Sequence, residues 1–197
     1  SQGKYKEAIT LHQEALAIDE KVYGPEHPTV AIDLNNLAGS LESQGNYDEA
    51  KPLYARAVAI GEKSLGPEHP DLAVWLNNQA GLLYALGEYA GAGQLFERSQ
   101  AIREKVLGAE HPLVANVLNN RAALLEEQGK YVEADPLYLR AIEIWEAAFG
   151  PDHLSVGRSL SNRAGLLKAQ GKYEDADVLY RRAIQIGEKT LGPDHPN

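Results

Sequence analysis

One spacing governs this sequence. His27, His69, His111, His153 and His195 fall 42 residues apart, each inside a short Gly-rich string. The strings read GPEHP at Gly24 and Gly66, GAEHP at Gly108, GPDHL at Gly150 and GPDHP at Gly192. Tyr5, Tyr47, Tyr89, Tyr131 and Tyr173 keep the same period. A period of this length, held along the whole chain, points to one supersecondary unit stacked on itself. No such unit can bury its apolar face alone, so neighbours must share a continuous core.

Each unit holds two helical patterns. Leu34, Leu37, Ala38 and Leu41 recur at i, i+3, i+4 and i+7 and predict one apolar stripe; Tyr47, Ala50, Tyr54, Ala57 and Val58 predict a second. Between them lies QGNY, in which Gly45 suits the left-handed position past a helix end. Gly24 and its equivalents are expected to end the second helices in the same way. Pro28 suits the first position of the next helix, where a missing N–H is no loss. His27, before that Pro, is pushed out of the α region and so turns one unit into the next. His153 precedes Leu154 instead, and its turn is expected to be looser.

The expected fold is all-α: a right-handed superhelical α-solenoid of antiparallel helix pairs. The period divides the chain into a second helix over 1–26, repeats over 27–68, 69–110, 111–152 and 153–194, and the start of a further repeat at 195–197. Neither end shows the polar outer face of a terminal cap, so the segment is expected to belong to a longer array and to be capable of end-to-end self-association. Gly91 and Gly93 replace Glu49 and Lys51 of the unit before and make theirs the softest second helix, since each Gly costs about 0.8–1 kcal/mol against Ala.

Composition narrows the function classes. The formal net charge is −9 and no basic cluster stands out, which argues against a nucleic-acid partner. The absence of Cys excludes disulfides, thiolate catalysis and Cys-bound metal. No stretch approaches the ~18 apolar residues of a membrane span, and no signal peptide is visible; a cytoplasmic location is expected. The five His residues sit on successive units. Stacked helices lie ~8–10 Å apart, too far for neighbouring His to share an ion with bonds near 2 Å. No metal site, no cofactor and no catalytic set is expected. The GAGQLF string at Gly91–Phe96 lies inside a helical pattern with no preceding strand and is not a nucleotide fingerprint.

The strings LNNLA at Leu34–Ala38, QGNYDEA at Gln44–Ala50, PLYARA at Pro52–Ala57 and LGPEHP at Leu65–Pro70 together resemble the tetratricopeptide repeat, in the 42-residue form of kinesin light chains and their relatives. The resemblance covers essentially the whole chain. It implies a protein-interaction scaffold or adaptor, not an enzyme, whose first helices line a concave groove for an extended peptide or partner segment. Two other roles stay open: a partner-sensing segment of a larger signalling NTPase or kinase, and a self-assembling array.

In that family the first Asn of LNN faces the groove and bonds peptide backbone. The matching positions are Asn35, Asn77, Asn119 and Ser161. An amide carries donors and an acceptor, so it pairs with main chain in either sense. Four rungs at ~10 Å span roughly 30 Å, or about nine residues of extended peptide. Asn116, Arg158, Lys168, Glu42 and Tyr84, on the same first helices, complete the expected groove set. The second Asn (Asn36, Asn78, Asn120, Asn162) is expected to bond neighbouring backbone. Asp33, Glu42 and Asp71 would make the early groove acidic, and Arg158, Arg163 and Lys168 the late groove basic. Arg121 and Arg163 interrupt an apolar stripe and should pair with an acid on an adjacent helix or reach solvent. Trp75 and Trp145 are read as packing residues, with Trp75 held in reserve as a binding residue.

Overall fold

A computed structural model describes Gln2–Leu191, with side chains from Glu7 onward. The expectations for Gly192, His195 and the repeat start at 195–197 lie outside the described residues. Among the described residues the chain is all helix. The helices are α1 (Gln2–Tyr23), α2 (Pro28–Ser43), α3 (Tyr47–Ser64), α4 (Pro70–Ala85), α5 (Tyr89–Leu107), α6 (Pro112–Glu127), α7 (Tyr131–Phe149), α8 (Leu154–Ala169) and α9 (Tyr173–Leu191). They form two compact units, Ser1–Ile102 and Arg103–Asn197. In the first, α2 packs on α1, α3 and α4; in the second, α8 packs on α6, α7 and α9.

The turns explain why the helices stop where they do. Gly45 has φ +82°. That conformation lets Asn46 N–H reach Leu41 O at 2.9 Å and Gly45 N–H reach Glu42 O at 2.8 Å, a pair of bonds that satisfies the last free carbonyls of α2. The same pair recurs after α4, α6 and α8, for example Lys172 N–H to Leu167 O at 2.9 Å.

The repeated His is the N-cap of each first helix. His27, His69, His111 and His153 all have extended backbone, and each ring accepts from the backbone N–H two residues on. The Nδ1 distances are 3.3 Å to Thr29 and 3.2 Å to Asp71, Leu113 and Ser155. The bond requires an Nδ1 lone pair, and so a proton on Nε2 only. The looser turn expected at His153 does not occur. Its φ and ψ, −75° and 143°, match the other caps because the ring bond sets them without Pro. The Phe149 ring, 4.5 Å away, also packs against it, as Tyr23 packs on His27 at 4.8 Å.

Leu34, Leu37, Ala38 and Leu41 are buried, as are Ala50, Tyr54, Ala57 and Val58. Tyr47 departs from its stripe and is 36% exposed, because it sits in the first turn of α3. Gly91 and Gly93 do not interrupt α5.

A ladder of Arg–Glu pairs joins successive second helices, and its residues keep the sequence period. Arg56, Arg98, Arg140 and Arg182 keep the 42-residue period, and so do Glu20, Glu62, Glu104 and Glu146. Arg56 meets Glu20 at 2.6 Å, Arg98 meets Glu62 at 2.5 Å, Arg140 meets Glu104 at 3.1 Å, and Arg182 pairs with Glu146. Arg56 also donates to Pro25 O at 3.0 Å and Arg140 to Ala109 O at 3.1 Å, tying the inter-repeat turn to the second helix.

Candidate protein interaction face

The first helices α2 and α4 of unit 1 run side by side and are locked by one amide pair. Asn78 Nδ2 donates to Asn35 Oδ1 at 3.0 Å. Unit 2 repeats the device between α6 and α8, where Asn162 Nδ2 donates to Asn119 Oδ1 at 3.3 Å. The second Asn therefore bonds a side chain on the neighbouring first helix, not the backbone expected for it. The second Asn of one first helix reaches the first Asn of the first helix before it, a separation of 43 residues in both units. The lock also orients the first Asn. Its oxygen is engaged, so what Asn35 offers a ligand is N–H.

Burial separates the candidate positions. Asn35, Asn77 and Ser161 are half-buried at the surface. Asn119 is only 8% exposed, so it offers a ligand little area and serves unit 2 mainly as the lock. One turn before the Asn on the same stripe lie Ile32 in α2 and Val74 in α4, 44% and 38% exposed, neither singled out by the sequence reading. In unit 2 that register holds Asn116 and Arg158. Two turns after the Asn lie Glu42 and Lys168, at the ends of α2 and α8. Glu42 accepts from Tyr54 Oη at 2.8 Å, which draws it back onto its own helix pair; burial, and then this carboxylate, push the Tyr54 phenol well above its usual range. Tyr84 lies with its ring 6.0 Å from Tyr89. Lys168 is exposed.

The charges expected to form a gradient along the first helices are engaged unequally. Burial, and then hydrogen bonding with Asp19 on α1, hold the Asp33 carboxyl above the usual carboxylate range, so Asp33 faces α1. Asp71 sits 3.7 Å from the capping His69. With Asp33 turned to α1 and Glu42 on Tyr54, the acid left well exposed on the first helices of unit 1 is Asp71, whose side chain is 55% exposed. In unit 2, Arg163 is taken by Asp135 on α7, Nε to Oδ1 at 2.7 Å, which leaves Arg158 and Lys168 as the free-facing bases of α8. Trp75 is 3% exposed and Trp145 2%; both are core residues, and Trp75 is withdrawn as a binding residue. No cluster of His and acids suited to a metal ion occurs among the described residues, and no helix there is long and apolar enough to cross a membrane.

Comparison with known proteins agrees with this repeat geometry. A tetratricopeptide repeat family model matches residues 1–60, 32–105, 71–137 and 113–189. Among solved structures, a Podosopora anserina kinesin-light-chain-like protein with nearly identical TPR-like repeats is 28% identical, with a TM-score of 0.78 over 96% of this chain and 90% of its own. BtubC (BKLC) from P. vanneervenii, at 23% identity, shares the fold with a TM-score of 0.84 over 100% of this chain and 78% of its own. MamA, at 15% identity, shares it at 0.64 over 96% and 92%. A search of curated proteins finds no match. Four overlapping family matches, on a chain built of capped, locked helix pairs, identify it: this protein belongs to the tetratricopeptide repeat family.

Proposed function

We propose that the chain binds a protein partner through the first-helix face of unit 1, taking an extended segment with apolar side chains. Tetratricopeptide repeats generally mediate protein–protein interaction. The observation that carries the finer reading is the exposure of Ile32 and Val74, at 44% and 38%, on the same stripe as the half-buried Asn35 and Asn77. A peptide strand laid there would place apolar side chains on the two aliphatic residues and its carbonyls on Asn35 N–H. Each such bond contributes only ~0.5–1.5 kcal/mol net, so recognition of a short motif with modest affinity is expected.

The test is a random-peptide display selection on the chain, followed by titration of enriched peptides against Ile32→Ser/Val74→Ser. Both residues are surface residues, so the variant should keep its melting temperature. Loss of binding with the fold intact supports the reading. Equal binding by the variant, or an enriched motif whose chemical-shift footprint avoids α2 and α4, overturns it.

A further inference from the structure

The bonds that start the first helices depend on the protonation of four His rings. Nδ1 of His27, His69, His111 and His153 accepts the backbone N–H two residues on. A ring that takes a second proton at Nδ1 has no lone pair left to accept with. It also sets a positive charge against N–H groups that already form the positive end of the helix dipole. All four rings are at least partly exposed, so solvent protons reach them. The folded chain loses these bonds in acid, and an unfolded chain has none to lose. Stability therefore falls with pH wherever nothing replaces the cap.

The residue two places on decides what replaces it. In unit 1, Asp71 Oδ2 stands 3.7 Å from Nδ1 of His69 and offers a charged ring an ion pair. Thr29 Oγ1 lies 3.0 Å from Nδ1 of His27, and a hydroxyl donates to a neutral ring or accepts from a charged one. In unit 2 the same register holds Leu113, whose side chain accepts nothing, and Ser155, which meets its ring through the backbone N–H. Other charges surround each turn. Glu26 pairs with Lys63 of α3, and Arg56 of α3 donates to Pro25 O while holding Glu20 of α1. Glu68 precedes His69, and Arg98 of α5 holds Glu62 of α3. At the His111 turn, Arg103 donates to Leu113 O at 2.6 Å. Arg140 of α7 donates there to Ala109 O, meets Glu104 and lies 3.9 Å from Glu110. Asp152, before His153, pairs with Lys189 of α9, and Arg182 of α9 donates to Pro151 O at 3.5 Å. The acids next to the unit 2 caps thus each face a cation already.

We propose that His111 and His153 form a pH-sensitive device that loosens unit 2 in mild acid. Protonation frees the first turns of α6 and α8, whereas Thr29 and Asp71 hold those of α2 and α4. An unperturbed imidazole changes charge near pH 6.5, so the response falls in a range where carboxylates remain charged. The device is independent of the unit 1 face, and either can fail without the other.

The test compares the 197-residue chain at about pH 7.5 and about pH 5.5, on either side of the imidazole range. In an NMR titration the backbone amides of Leu113 and Ser155 should shift and broaden, and those of Thr29 and Asp71 should move less. His111→Asn/His153→Asn supplies both helices with a cap that does not titrate. On acidification the melting temperature of the parent chain should fall roughly 4 °C or more further than that of this variant. Should the variant be too unstable to compare, Leu113→Asp copies the Asp71 arrangement at an exposed position and must reduce the acid loss. Asp71→Asn should extend the acid loss to α4. Equal acid loss in the parent and the Asn variant, no relief from Leu113→Asp, or amides of all four registers titrating alike overturns the proposal.

Discussion

The two units solve one packing problem in opposite ways. In unit 1 the second helix offers Gly61 and the first helix fills the space with Trp75. Two periods later the bulk has changed sides. Trp145 projects from the second helix α7 into a cluster with Val156 and Leu160, and Ser159, in the register of Trp75, is fully buried. In each of these two interfaces a single indole satisfies the need for volume, and the repeat does not dictate which helix supplies it. Interiors are close-packed, so each partner must match the other even where neither matches its own repeat equivalent.

The largest effects should come from breaking this match. Trp75→Ala and Trp145→Ala should each cost ~3–5 kcal/mol, read by chemical denaturation, because the vacated space cannot collapse within a rigid helix pair. Gly61→Trp alone overpacks unit 1 and should cost roughly 1–3 kcal/mol or more. Combining it with Trp75→Ser copies the arrangement of unit 2 into unit 1, and the double variant should be more stable than the sum of the singles predicts. Additive losses would show that the two interfaces are not interchangeable.

The amide locks sharpen the comparison at a smaller scale. Asn119 is nearly buried, so Asn119→Ala strands the Asn162 amide and should cost ~1–3 kcal/mol; Asn35→Ala, at a wetter site, should cost about 0.5–1.5 kcal/mol. Hydrogen exchange in α8 and α4, respectively, reads the two effects. Equal protection losses would mean that burial does not separate the locks.

A stability gain is expected at the register shared by Asp33, Trp75, Val117 and Ser159. Burial and Asp19 raise the folded-state pKa of Asp33. A raised carboxyl favours the folded state in acid, and that contribution is lost as pH rises through the raised value. Asp33→Val, which copies Val117, should therefore stabilise unit 1 at neutral pH. The gain should shrink in acid, and a gain independent of pH would point to packing alone. The smallest effect belongs to the Arg–Glu ladder. Arg98 and Glu62 are both exposed, so Arg98→Ala should change stability by ~0–1 kcal/mol and only at low salt. A larger, salt-independent loss would assign the ladder a role in packing.

The candidate site was legible only in part. The stripe carrying Asn35 and Asn77 followed from periodicity, and so did the neighbouring positions of Ile32 and Val74. Which members are exposed did not. Asp33 and Ile32 are adjacent in sequence, yet one turns to α1 and the other to solvent. A helix of known period still needs its neighbours placed before any residue can be given a side.

What the sequence by itself determined is the unit: its length, its two helices, the Gly residues with positive φ that end them and the His that starts them. These are local properties, set by backbone conformation and capping bonds within a few residues, so they can be read from spacing. Tertiary structure alone decided how helix pairs pack within each unit: the amide locks, and the indole that comes from the first helix at Trp75 and from the second helix at Trp145. Those depend on side chains separated by one or more periods that meet only after stacking. Volume and hydrogen bonding between such residues can be satisfied by more than one pairing, and the packed core selects the pairing that is used.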